Sequence, residues 1–230
     1  MQPRRLVALT LAAWGGLAAA LGAGLATKPA IAQLTHWYAL TALVCLYLAL
    51  LHTPLYRAFP KLPLRGQYYA ARRPLGVAAF CFGAAHAALT FFGQLRGFDG
   101  LAFLSQRYLV AVALGVVSVL IMLPLALTAN DRSLRRLGPR WKQLHRLVYL
   151  VGLATLFHTL LLGDTVAAGA WRWVFVVAVF ALTLLQAARI NAVVRVRAPG
   201  WLLATRIALL GAHVYLVYVL ILNSLRVHGH

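Results

Sequence analysis

Three histidines stand where apolar sequence offers little else that is polar. His86 closes the run RRPLGVAAFCFGAAH, and His145 and His158 lie thirteen residues apart in WKQLHRLVYLVGLATLFHTLLLG. An imidazole can titrate, hydrogen-bond or ligate a metal. In a lipid-like setting ionisable groups are costly and by default mark function. A lone histidine of this kind also serves as a helix–helix hydrogen bond, and that reading stands for His52 and His213, with His36 at the interface. His228 and His230 fall in a polar tail. Two imidazoles at one level on different helices can do more. They can fill both axial positions of a haem iron, which favours electron transfer over oxygen chemistry.

The elements that must position them are apolar runs. The chain has 230 residues, 63% of them hydrophobic, with a mean hydropathy of +0.82. About 20 apolar residues cross a bilayer, and runs of that order occupy 6–26, 37–56, 74–94, 108–128, 144–162, 170–188 and 201–223. Only helices and closed barrels satisfy their backbone in lipid. The expected fold is all-α: one polytopic transmembrane bundle over 1–230, of about seven helices. The first run has a rival reading as a signal peptide, since Arg4 and Arg5 precede it and AIA at 30–32 resembles a cleavage site.

Net charge is +19, with Asp99, Asp131 and Asp164 the only acids. The placement of the charge argues for lipid rather than nucleic acid. With the N-terminus in the cytoplasm, Arg4, Arg5, Arg189, Arg195, Arg197 and the cations of 57–73 and 132–146 share the inner side. Lys28, Arg96, Arg107, Arg172 and Arg226 lie opposite. This is the positive-inside bias, with a cytoplasmic N-terminus and an external C-terminus. Anionic lipid meets much of the excess. Cys45 and Cys81 fall mid-helix in different runs and read as packing residues.

At 1.5 Å per residue, His86 lies roughly 18 Å beyond Pro74, which is expected to start the third helix, and His158 lies roughly 20 Å beyond His145. The third and fifth helices run the same way, so His86 and His158 share a depth, as do Arg72 and His145. Phase separates the two levels. Arg72 falls within roughly 40° of the face of His86, but His145 falls roughly 140° from that of His158 on a straight helix. Either a distortion turns the fifth helix, or the inner level binds differently. An inner haem would take His145, with His52 as a candidate partner. Arg72 is a poor iron ligand, because its guanidinium stays protonated, and suits a propionate or a flavin phosphate better. Gly76, Gly83 and Gly152 either admit a flat macrocycle or allow close helix packing.

The blocks ARRPLGVAAFCFGAAHAAL and LPLALTANDRSLRRLGPRWKQLHRLVYL, followed by LFH, resemble the ferric-reductase-like transmembrane domain superfamily. Within it they are most similar to the MsrQ family, haem-binding membrane subunits of a periplasmic methionine-sulfoxide reductase system. The resemblance covers about 37–190, a haem-binding core, and leaves 201–223 as an additional helix carrying His213. It implies haem b on the third and fifth helices, with His86, His145 and His158 at the family's histidine positions. Arg72 stands where NADPH-oxidase relatives carry another histidine. One haem is implied and a second admitted. FMN is a family flavin, though no flavin motif is found here.

The resulting expectation is an electron-transfer subunit. No Gly-x-Gly-x-x-Gly follows a strand, so a cytoplasmic flavin reductase or quinol must feed it, and a periplasmic oxidoreductase must accept. A stand-alone reductase of ferric chelates and a haem-free transporter or assembly factor are the alternatives. With no carboxylate relay through the membrane, proton pumping is not expected.

Overall fold

A computed structural model describes residues 3–24, 28–162 and 171–226. Asp164, His228 and His230 lie outside them. The helices are α1 (Pro3–Gly24), α2 (Lys28–Ala58), α3 (Arg65–Ala88), α4 (Gln106–Leu127), α5 (Asp131–Leu137), α6 (Pro139–His145), α7 (Val148–Leu162), α8 (Trp171–Arg197) and α9 (Leu202–Arg226). A π-helical turn, Leu89–Gln94, prolongs α3. No strand occurs among the described residues.

Among the described residues, six stretches are long and apolar enough to cross a membrane: Ile31–Ala58, Arg65–Gln94, Gln106–Leu127, Pro139–Leu162, Trp173–Arg197 and Pro199–Val219. The protein is a multi-pass helical membrane protein. The first apolar run forms α1, Pro3–Gly24, 22 residues long.

Two local expectations are corrected. Pro74 lies inside α3 rather than at its start, because the helix already begins at Arg65. The loop before it shrinks to 59–64, where Leu64 adopts a left-handed φ of 63°. The fifth apolar run is not one straight helix. It breaks at Arg146–Leu147, where Arg146 N bonds Gln143 O and Leu147 N bonds Leu144 O, a tightened three-residue spacing. A break therefore lies between His145 and His158.

The chain forms two compact units, 1–50 with 64–158 and 51–63 with 159–230. In the first, α1 packs on α3 where Gly15 makes room for the Phe82 ring; a Cβ there would lie 3.1 Å from it. Tyr38 Oη donates to Gly15 O (3.1 Å) and stacks obliquely on Phe82 (5.5 Å). Gly152 faces Leu50, and Gly83 faces Ala42, so both serve helix packing. Asn130 caps α5, its side-chain oxygen accepting from Ser133 N (2.8 Å). Gly138, at φ +51°, turns the chain into Pro139 at the first position of α6. In the second unit α8 and α9 form a hairpin through Pro199–Trp201, with Phe180 edge-on to His213 at 6.0 Å.

Candidate functional site

The site is built where α2, α3, α4 and α7 meet in the first unit. His86 comes from α3 and His158 from α7. Their ring centres are 6.4 Å apart and their planes 81° apart. His86 Nδ1 lies 3.1 Å from Thr35 O on α2, and His158 Nδ1 lies 2.7 Å from Ala111 O on α4. A carbonyl oxygen can only accept, so each Nδ1 carries the proton and each Nε2 keeps its lone pair. This is the tautomer of a metal-ligating histidine, oriented by a backbone partner. Two imidazole nitrogens each about 2 Å from one metal put their ring centres roughly 6 Å apart. The observed spacing fits one metal centre between them. Among the described residues no group of three or more His, Cys, Asp or Glu gathers.

Sequence reasoning missed what shapes this pocket. Gly115 lies one turn from Ala111 on α4, and a Cβ there would come within 3.0 Å of the His158 ring. The glycine that admits the imidazole is thus on α4, not on the histidine-bearing helices. Ser118 continues the same stripe, donating to Leu114 O (2.8 Å) and accepting from Thr155 Oγ1 (3.4 Å).

His145 stands apart in environment. Its ring stacks on Trp141 at 3.9 Å and 22°. Its Nε2 lies 3.1 Å from Thr128 Oγ1, whose proton goes to Pro124 O at 2.6 Å. A hydroxyl with its one hydrogen committed can only accept, so His145 donates through Nε2. Its tautomer is the reverse of that of His86 and His158. The Trp141 indole also donates to Thr128 O (2.9 Å).

Cations surround this level. Arg72 and Arg73 lie within electrostatic reach of His145. Arg72 Nε donates to Ala49 O (3.3 Å). Arg73 lies over the Trp141 ring at 5.7 Å and pairs with Asp131, which also meets Arg4 at 4.0 Å. The hydrogen bond from Arg73, with the charges of Arg73, Arg4 and Arg135, holds the Asp131 carboxyl below the usual carboxylate range. His52 belongs to the second unit, buried with its ring 5.1 Å from Tyr56. His213 Nδ1 bonds Leu209 O on its own helix (2.7 Å). Cys45 is buried and Cys81 exposed, both free.

A family model described as ferric reductase like transmembrane component matches residues 35–156. The chain is 37% identical over 151 residues to the protein-methionine-sulfoxide reductase heme-binding subunit MsrQ of Agrobacterium fabrum, covering 64% of this chain. It spans 66% of that relative's length, just under two thirds. No solved structure matches the chain.

Proposed function

The chain belongs to the ferric reductase-like transmembrane family, and from that premise we propose that it is a haem-carrying electron-transfer subunit. His86 and His158 are the axial ligands of one haem b. The observation that carries this is the meeting of the two rings at 6.4 Å, each with its Nδ1 at hydrogen-bond distance from a carbonyl of a different neighbouring helix. Bound there, a bis-imidazole haem supplies reversible one-electron transfer. The chain's part is to hold and orient both rings.

The likeness to a heme-binding subunit named for methionine-sulfoxide reductase supports a periplasmic reductase of that class as acceptor, with a ferric chelate the alternative. The donor is a cytoplasmic flavin reductase or quinol. The protein sits in the bacterial inner membrane with its N-terminus inside, on the charge bias of its loops. His145 is a contact residue rather than a ligand, since its Nε2 is engaged by Thr128. Arg72 and Arg73, at the level of His145, suit an anionic group such as the phosphate of FMN by charge.

The test is spectroscopic. Purified protein should show a low-spin Soret band and one haem per chain. His86→Ala and His158→Ala should each lose it. A colourless wild-type protein after haem-sufficient expression, or wild-type spectra in both variants, overturns the assignment.

A further inference from the structure

A haem has an apolar edge and an edge bearing two propionate carboxylates, so its pocket needs two unlike rims. The two directions along the helices from the His86–His158 pair are unlike. Toward the Arg65 end of α3, one and two turns from His86 bring Phe82 and Ala79. The matching steps along α7 bring Ala154 and Val151. All four are buried and apolar. The hydroxyls on that side, Ser118 and Thr155, are paired with each other. Arg72 is fourteen residues from His86, roughly 21 Å of helix, and out of reach of a group centred there.

The opposite rim carries two polar side chains. The first is Thr90, four residues beyond His86 and on the same face. Hydroxyls inside helices of this protein regularly bond the carbonyl four residues back: Thr35 to Ile31, Thr41 to Trp37, Ser118 to Leu114 and Thr128 to Pro124. Thr90 does not. It lies in the π-helical turn Leu89–Gln94, whose wider spacing takes the side chain off that geometry. Its Oγ1 is buried and has no hydrogen-bond partner among the described residues. A buried orphan of this kind is destabilising unless something satisfies it, and π turns of this kind collect at functional sites.

The second is Arg107. Gly115, Ala111 and Arg107 lie at four-residue steps on α4, one stripe. Its first two members touch the His158 ring, through the space over Gly115 and the carbonyl of Ala111. Arg107 is therefore about one turn, or roughly 6 Å, past the level of His158, on the same side of the pair as Thr90.

We propose that Thr90 and Arg107 form the carboxylate-binding rim of the cofactor site. The Thr90 hydroxyl donates to, and the Arg107 guanidinium pairs with, the propionates of a haem held by His86 and His158. This rests on the haem reading above. It fixes which way the cofactor lies: propionates toward the Gln94 end of α3, apolar edge toward Phe82 and Val151. Neither residue touches the iron, so both are positioning residues.

The experiment compares Thr90→Val, Arg107→Gln and Arg107→Lys in the full-length protein, reconstituted with haem b and with haem dimethyl ester, whose propionates are capped. The readouts are the reduced-minus-oxidised spectrum, the midpoint potential against pH, and the rate of haem transfer to excess apomyoglobin. With haem b, the low-spin spectrum should persist. Arg107→Gln should lose haem about tenfold faster, and its midpoint potential should fall as an uncompensated carboxylate favours the ferric form. Thr90→Val should lose haem several-fold faster, and Arg107→Lys should recover part of the potential. With the dimethyl ester, the variants should match the wild type.

Unchanged potential and transfer rate in both Thr90→Val and Arg107→Gln, with a normal wild-type Soret band, overturn the rim while the axial ligands stand. Equal losses with haem b and with the ester also overturn it, because the effect then runs through packing or a lipid phosphate. If Arg107→Gln does not accumulate, Thr90→Val and Arg107→Lys carry the same comparison. A wild-type protein with no Soret band fails the haem reading itself and is thereby distinguished.

Discussion

His86 and His158 meet edge to face from α3 and α7, 6.4 Å between ring centres, and neither is oriented by the other. Each gives its Nδ1 proton to a carbonyl of a further helix, Thr35 on α2 and Ala111 on α4. Four helices thus fix two rings. Since an imidazole's free rotation would misdirect its lone pair, the carbonyl partners matter as much as the histidines.

Gly115 is the most sensitive point in this arrangement. A methyl there would sit 3.0 Å from Cε1 and Nδ1 of His158, and the ring cannot withdraw without breaking its bond to Ala111 O. Gly115→Ala should cost about 1–3 kcal/mol, as overpacking does, lower haem occupancy and broaden the Soret band. Gly115→Val should abolish binding. Gly76→Ala, with nothing within 4 Å of the added carbon, is the matched control. Equal haem content and spectra in all three variants would show that His158 does not depend on this space.

The depth match of His86 and His158 was legible in the sequence because helix rise is regular and apolar runs set the frame. Their partners were not. Which carbonyl meets which imidazole depends on helix neighbours, and nothing in the residues around Thr35 or Ala111 announces it. The glycines in the histidine helices drew attention, yet Gly83 and Gly152 face Ala42 and Leu50, whereas the one facing a histidine lies on α4. The phase mismatch of His145 was legible as a conflict, and the break at Arg146–Leu147 was not. Pro74 misled because proline marks helix starts more often than interiors.

Asp131 should make stability depend on pH in one direction. Its carboxyl, held by Arg73 and Arg4, has a folded pKa below its unfolded one. Its contribution is therefore full above the unfolded value and lost as pH falls through the folded one. In detergent, wild type should melt above Asp131→Asn at neutral pH, with the gap closing below the ordinary carboxylate range. A gap that stays constant into strong acid would mean the ion pairs contribute nothing. High salt should also narrow it, since the carboxylate is exposed.

Electron delivery should depend on salt. Arg57, Lys61, Arg65, Arg72 and Arg73 in one segment, and Arg132, Arg135, Arg136, Arg140, Lys142 and Arg146 in the other, are cations of the kind an acidic donor would pair with. The rate of haem reduction by a cognate flavin reductase should fall about tenfold or more from low to high ionic strength, as for steered association. A flat profile would assign these charges to topology and lipid alone.

His145 separates one cofactor arrangement from another. Its Nε2 donates to Thr128 and its face is covered by Trp141, so removing it strips a hydrogen bond and a stacking contact but should leave the iron untouched. Thr128 keeps its bond to Pro124 O, and Trp141 keeps its bond to Thr128 O. No buried group is orphaned, and the cost to folding should be about 1 kcal/mol. His145→Ala should therefore retain one haem per chain with an unaltered spectrum. Its flavin content, read by fluorescence after acid release, should fall, as it should in Arg72→Gln and Trp141→Leu, because these residues share one level. Halved haem in His145→Ala would instead make this histidine a ligand of a second haem, with His52 the next residue to replace. Unchanged haem and unchanged flavin together would leave His145 a packing residue that ties α6 to the end of α4.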